Sequence, residues 1–275
     1  MGLSSEAREL KSLCDSMAKS VSLAVREMVG RPTSGTFVQM GADGTPTKSI
    51  DKLAEDAAIA PLRDYGTGFR ILSEEMGEMA IGGEPEYFIH LDPLDGTFNA
   101  IQGIPFYSVS IFISNQRCRL GYVCDLARQI RYFGQAGGGA FRESGEDGEI
   151  QPIRVSATSV LKDFSISAYT IRPHSARITS LGDRVRRIRT LGSTSLELCY
   201  LADGKLDAFV DLRGGLRVVD VAAGMLIVSE AGGTVSDVDG QHLTLREDMW
   251  QRTDLIASNG LLHREILGMI RGDDH

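Results

Sequence analysis

Leu91-Asp92-Pro93-Leu94-Asp95-Gly96-Thr97 follows directly on the apolar run Tyr87-Phe88-Ile89-His90, and the reading of the whole chain turns on it. A strand that ends in two aspartates, separated by a proline-stiffened turn, aims two carboxylates at one point, and such a point draws a cation. Gly96 can take backbone angles closed to other residues, so the N–H groups of Gly96 and Thr97 can face an anion where the next segment begins. Asp-Pro and Asp-Gly are also ordinary turn dipeptides, so the motif alone leaves a plain strand-end turn open.

With 275 residues, 42% of them hydrophobic and 24% charged, the chain has the composition of a globular protein able to bury a large core. The expectation is a single domain of two subdomains, about 1–150 and 151–275, with a seam in the polar stretch from Ser144 to Glu149. A formal net charge of −8 argues against a general nucleic-acid or membrane-surface binder. The basic run Arg184-Val185-Arg186-Arg187-Ile188-Arg189 reads as a solvated helix face. Cys14, Cys118, Cys124 and Cys199 are scattered, without metal-binding spacing, and fit a reducing cytoplasm. The longest apolar runs, such as 221–228, fall far below the roughly 20 residues of a membrane span, and no signal-like apolar stretch stands at the N-terminus, so a cytoplasmic location is expected.

Leu10, Leu13, Cys14, Met17, Val21, Val25 and Met28 recur at helical spacing from about Ser5 to Val29, before Gly30 and Pro32. The polar segment Gly35 to Ser49 is expected to be either a mobile lid or a plain surface loop; Thr47 stands where a P-loop needs glycine, which excludes that motif. A second helix starts near Ser49, with Ile50, Leu53, Ala54, Ala57 and Ala58 buried, Asp51 in its first turn and Pro61 near its end. Phe69 to Ser73 is a short strand delivering Glu74 and Glu75. Phe106 to Ser114, Arg119 to Cys124, Ile130 to Phe133 and Gly139 to Arg142 read as an antiparallel meander. The second half holds strands at Ile153 to Val155, Phe164 to Ala168, Leu206 to Leu212 and Asp254 to Ala257, and helices at Ser175 to Ile188, Ser193 to Ala202 and Leu261 to Ile270. A further apolar helix begins at Val218 and places Asp220 in its first turn, where capping alone would suit a carboxylate.

Glu74-Glu75 after a strand, Asp92-Pro-Leu-Asp95-Gly-Thr97, and Asp220-Val-Ala-Ala-Gly224, in that order, resemble the inositol monophosphatase and fructose-1,6-bisphosphatase superfamily. Gly41-Ala-Asp-Gly-Thr-Pro-Thr-Lys48 and Leu191-Gly-Ser-Thr-Ser-Leu-Glu-Leu-Cys199 are most similar to its archaeal-type bifunctional branch. The resemblance implies a layered α/β/α/β/α sandwich, a homodimer, and a Mg²⁺-dependent phosphomonoesterase. It implies Glu74, Asp92, Asp95, Asp220 and the carbonyl of Leu94 as metal ligands. Asp51 and Thr97 match the pair that orients the attacking water, with Glu74 beside them in the catalytic set. Gly96 and Thr97 match the phosphate-holding amides, and Gly192, Ser193 and Thr194 border the alcohol portion of the substrate.

Hard oxygen ligands without cysteine or paired histidines also select Mg²⁺ or Mn²⁺ over zinc. Two or three such ions can lower the pKa of a bound water, hold a phosphate in line and neutralise charge on the leaving oxygen. Two departures bear on substrate choice. Val219 stands where many members carry Trp, and the connection Asp211-Leu-Arg-Gly-Gly-Leu-Arg217 is longer than in the animal inositol enzymes, which leaves Asp211 a weak candidate for contact with the polyol ring. Arg172, Arg213 and Arg217 are the arginines expected nearest a second, distal phosphate, with surface exposure or carboxylate pairing as their alternative. The expected substrates are inositol-1-phosphate and fructose-1,6-bisphosphate. A 3′-phosphoadenosine or other nucleotide phosphatase, and a catalytically silent regulatory relative, are the rival readings.

Overall fold

The computed structural model describes residues 2–42, 44–145, 148–169, 175–243 and 252–272. Asp43 and Arg172 lie outside the described residues. Helix α1 (Ser5–Val25) starts where the Ser4 hydroxyl accepts from Ala7 N at 3.1 Å, and it buries Leu10, Leu13, Cys14, Met17 and Val21 on one stripe. The segment after it is a two-stranded hairpin rather than an irregular loop: β1 (Phe37–Met40) pairs antiparallel with β2 (Pro46–Lys48). The buried Thr47 hydroxyl pins it to the Glu75 carboxylate. Helix α2 (Ser49–Arg63) buries Ile50, Ala54 and Ala58, but Leu53 is 38% exposed. Its inward stripe runs instead through Asp51 and Glu55, two carboxylates one turn apart that amphipathic spacing alone assigns to solvent.

The first sheet has eight strands: β3 (Gly68–Ser73), β4 (Gly77–Ile81), β5 (Pro85–Asp95), β6 (Ser108–Ser114), β7 (Arg119–Asp125), β8 (Ile130–Gln135), β9 (Gly139–Ser144) and β10 (Ile150–Pro152), in the order β10-β9-β8-β7-β6-β5-β3-β4. Only β3 and β5 run parallel; the rest is the expected antiparallel meander. The short helix α3 (Thr97–Gln102) follows β5. Pairing with β9 falls on Ile150 to Pro152, upstream of the expected strand at Ile153.

The second sheet orders β12-β11-β13-β15-β14, from β11 (Ser165–Tyr169), β12 (Arg187–Arg189), β13 (Ala208–Arg217), β14 (Thr234–Ser236) and β15 (Arg252–Ser258). Helix α4 (Ser175–Gly182) stops at its glycine, six residues short of expectation, so the arginine run is not a helix face; its last three residues form an exposed edge strand parallel to β11. Gly214-Gly215 does not end β13 but kinks it, with a register shift against β15 between Asp211 and Leu216.

Between the sheets lie α5 (Thr194–Ala202) and α6 (Val218–Glu230), while α7 (His263–Arg271) and α4 cover the outer face of the second sheet. One core packs α1 and α2 on the first sheet, a second packs α5 and α6 between both sheets, and a third lies under α4 and α7. The layers therefore read α/β/α/β/α. This explains why both faces of β6 are buried although its sequence alternates Ser with Val and Ile. No described helix is long and apolar enough to cross a membrane.

Helix α6 touches the first sheet most closely at Gly121 of β7, where a Cβ would fall 2.6 Å from Ala223 O. The Gly121→Val variant must lift the helix, and overpacking of this kind costs about 1–3 kcal/mol. Urea unfolding is expected to show that loss; a stability equal to the parent's would mean the layer is looser than the contact implies.

Candidate active site

Three elements carry Glu74, Asp92 and Asp220 to one point. Parallel pairing sets Ser73 opposite Leu91, and Glu74 N donates to Leu91 O at 3.2 Å, so β3 and β5 release their carboxylates at the same sheet edge. Asp220 arrives from the first turn of α6, where it also accepts from Arg217 N at 2.7 Å. Ligand oxygens of the three carboxylates all lie within 4.8 Å of one another. Burial lifts the Glu74 carboxyl to about 8, with Arg217 opposing the shift and Asp220 adding to it. Asp92, 3% exposed, is raised well above the carboxylate range by burial and then by Glu74, Asp95 and Asp220. An all-oxygen, anionic donor set of this kind fits a hard divalent cation.

The remaining expected ligands sit close by in different company. Asp95 turns its carboxylate to the start of α5: Oδ2 accepts from Ser193 Oγ at 2.7 Å and from Ser195 N at 2.7 Å and Oγ at 2.5 Å. The carbonyl of Leu94 lies 3.0 Å from Thr97 Oγ1. That hydroxyl is also 2.8 Å from Asp51 Oδ1, while Asp51 Oδ2 accepts from Lys48 N at 3.1 Å. Two residues 46 positions apart are thus joined, as the sequence pattern expects. Gly96, at φ +94°, opens α3; a Cβ there would come within 3.0 Å of Phe106 O and 3.1 Å of Gly192 O.

A cleft of about 550 Å³ extends from the carboxylates. Gly192 and Thr194 line it, whereas Ser193 is fully buried behind the wall, bonded to Asp95 and to Ser108. Asp211 does not reach the cleft: it is fully buried and accepts from Arg213 N and Nε, each at 3.0 Å. Arg213 itself lines the cleft, its guanidinium 4.1 Å above the Tyr169 ring. Arg217 does not point along the cleft as an independent cation; Nη2 binds Glu74 Oε1 at 2.6 Å and Asp220 Oδ1 at 2.7 Å.

Sequence reading missed Tyr169, Arg252 and Glu197. Tyr169 and Arg252 line the cleft, the latter brought opposite Arg217 by the β13–β15 ladder. Glu197 is buried and holds the wall together by accepting from Ser167 Oγ at 2.5 Å, Tyr169 OH at 2.6 Å and Leu191 N at 2.7 Å. Apart from the Leu191–Glu197 bond, six residues long, these contacts depend on elements brought together over long separations.

The Glu74 shift has a stability consequence. Its carboxyl sits at about 8 against an ordinary 4.5, and a group raised on folding contributes stability that is present below the ordinary value and lost as pH rises through the folded one. In EDTA, the urea midpoint of the parent, taken relative to Glu74→Gln, is expected to fall between pH 4.5 and about 8. Excess Mg²⁺ should restore it at the alkaline end. A relative midpoint that rises across this window would contradict the assignment.

The sequence profile of the inositol monophosphatase family matches residues 8–272. A fructose-1,6-bisphosphatase/inositol-1-monophosphatase of Methanothermobacter thermautotrophicus is 39% identical, over 94% of this chain and 95% of its own. A bifunctional NADP phosphatase/NAD kinase of Methanococcus maripaludis is 38% identical over 92% of this chain, which spans 48% of that longer protein. Among solved structures, a Pyrococcus horikoshii protein with similarities to inositol-1 monophosphatase superposes with a TM-score of 0.81 at 31% identity, over 98% of this chain and 99% of its own. An inositol monophosphatase-fructose 1,6 bisphosphatase superposes at 0.83 with 28% identity, over 94% and 98%. A profile match over nearly the whole chain, and the shared layered fold around the carboxylate cluster, make this chain a member of the inositol monophosphatase family of phosphoric monoester hydrolases.

Proposed function

We propose that the chain is a Mg²⁺-dependent phosphomonoesterase that hydrolyses inositol-1-phosphate and fructose-1,6-bisphosphate. The observation that carries this reading is the convergence of Glu74, Asp92 and Asp220 in a cleft that Thr97, bonded to Asp51, also lines. Glu74, Asp92, Asp220, the Leu94 carbonyl and, after a turn of its side chain, Asp95 would hold two or three Mg²⁺ ions, with Mn²⁺ able to substitute. Bound there, the metal supplies Lewis-acid activation of water and charge neutralisation at the phosphate. Water contributes the new P–O bond, the ester P–O bond breaks, and the alcohol leaves with a proton.

The chain's own groups do the positioning. Asp51 Oδ1 accepts the Thr97 proton, which turns a lone pair of Thr97 Oγ1 toward the attacking water. The N–H groups of Gly96 and Thr97 face the phosphate, and Gly192 and Thr194 border the leaving alcohol, with Ser193 holding that wall through Asp95. Arg213, held in place by Asp211, faces the cleft and is the arginine we assign to a distal phosphate, whereas Arg217 is bound to the Glu74 and Asp220 carboxylates. A nucleotide phosphatase is the second reading, favoured by the likeness to the NADP phosphatase relative and by the flat Arg213–Tyr169 stack in the cleft. A silent relative would have lost a ligand, and all those expected are present. Four unpaired, buried cysteines support a reducing cytoplasm, and exposed Phe98 and Ile104 offer apolar contacts for a homodimer.

Phosphate release across inositol-1-phosphate, fructose-1,6-bisphosphate, NADP⁺ and adenosine 3′,5′-bisphosphate decides among the readings. Activity is expected to vanish in excess EDTA and to fall by several orders of magnitude in Asp92→Asn, with the fold retained; undiminished hydrolysis in EDTA would sink the mechanism. Asp51→Asn and Thr97→Ala act on one water, so the double variant should lose little more than either single one, whereas additive losses would separate their roles. Arg213→Ala should raise KM for the bisphosphate about tenfold, the scale of one hydrogen bond to a charged group, and leave KM for inositol-1-phosphate unchanged. Equal effects on both substrates would remove Arg213 from distal recognition.

A further inference from the structure

Glu55 is fully buried, yet no step of the proposed reaction uses it. It lies one helical turn after Asp51 on the inward stripe of α2. Its Oε1 accepts from the Ser73 hydroxyl and from Met76 N, the latter at 3.0 Å. Those donors bracket the turn that carries Glu74 and Glu75. Oε2 finds no partner among the described residues, so the burial of this carboxyl costs folding energy. An apolar side chain of similar size would fill the same space but leave the Ser73 hydroxyl and the Met76 N–H without an acceptor.

We propose that Glu55 is a positioning residue for the metal site: by gripping both ends of the Ser73–Met76 turn it fixes the direction in which Glu74 presents its carboxylate. This inference rests on the reading of Glu74 as a metal ligand. The geometry favours it in two ways. The Glu74 backbone is tied to β5 through its N–H, which donates to Leu91 O at 3.2 Å, and its carboxylate meets Arg217 at 2.6 Å, so the turn around Glu74 sets the point from which that carboxylate is presented. The same helix holds Thr97 through Asp51, so α2 sets a rigid offset of about 6 Å along its axis, at 1.5 Å per residue, between the water-orienting pair and the ligand turn. Outer contacts of this kind commonly change metal affinity by roughly ten- to hundredfold.

The test is a direct Mn²⁺ titration followed by electron paramagnetic resonance, with no turnover involved, on the full-length parent, Glu55→Gln, Glu55→Leu and Ser73→Ala. Glutamine keeps the acceptor and is expected to stay within about threefold of the parent Kd, whereas leucine keeps the volume alone and should weaken Mn²⁺ at least tenfold. Circular dichroism in EDTA should show Glu55→Leu folded at the titration temperature, so that its lost Mn²⁺ affinity, recovered in Glu55→Gln, reports the turn rather than unfolding. If Glu55→Leu does not fold, Ser73→Ala decides, since it removes one of the two donors and leaves α2 intact; it should weaken Mn²⁺ several-fold. Parent-like Mn²⁺ affinity in Glu55→Leu, or in Ser73→Ala where that variant decides, overturns the role of Glu55 while leaving the phosphatase reading standing. A parent protein that binds no Mn²⁺ overturns both.

Discussion

Three carboxylates held within 4.8 Å of one another, in a site that removes them from water, repel strongly, and the architecture is arranged around keeping them there. Two arrive from the neighbouring strands β3 and β5 and the third from α6, more than a hundred residues further along the chain, so no local rearrangement can relieve the repulsion. The guanidinium of Arg217 sits against two of them and comes from the same helix start as Asp220. The layering follows from this need. Only a helix sandwiched between two sheets can bring its first turn over the edge of one sheet while its flanks remain buried.

Helix starts recur throughout the site. Asp51 accepts from the backbone at the head of α2, Asp220 at the head of α6, and Asp95 from Ser195 N in the first turn of α5. Each aspartate therefore satisfies an otherwise orphaned amide and meets the favourable end of a helix dipole. Capping and site membership are not competing explanations for these residues. The cap fixes the backbone, while the Asp220 carboxylate also joins the carboxylate cluster and the second oxygen of Asp51 reaches Thr97.

Much of this was legible from residue order. The Asp92 to Thr97 stretch announces a strand end with two carboxylates, and the meander from Phe106 to Arg142 follows from alternation and turn chemistry. What escaped was set by distance. Tyr169, Arg252 and Glu197 acquire their places through strand ladders and a helix crossing that leave no periodic trace, and Asp211, a weak candidate from the outset, is taken up by Arg213 through the carboxylate pairing that residue order left open. Glu55 went unread because charged residues ordinarily face water, and amphipathic counting set the buried stripe of α2 through Leu53, which is exposed. The arginine run beyond α4 was given helical geometry because charge patterning carries no period when nearly every position is polar.

The strand Arg187–Arg189 is the last of its sheet, and one side of its backbone offers amide and carbonyl groups to whatever approaches. Three residues are too few to template a foreign strand, and the guanidinium groups on the exposed chain would crowd against those of any identical copy laid alongside. The density of positive charge at this rim, in a molecule that is acidic as a whole, is thus suited to keeping the protein from polymerising through its own sheet at high concentration.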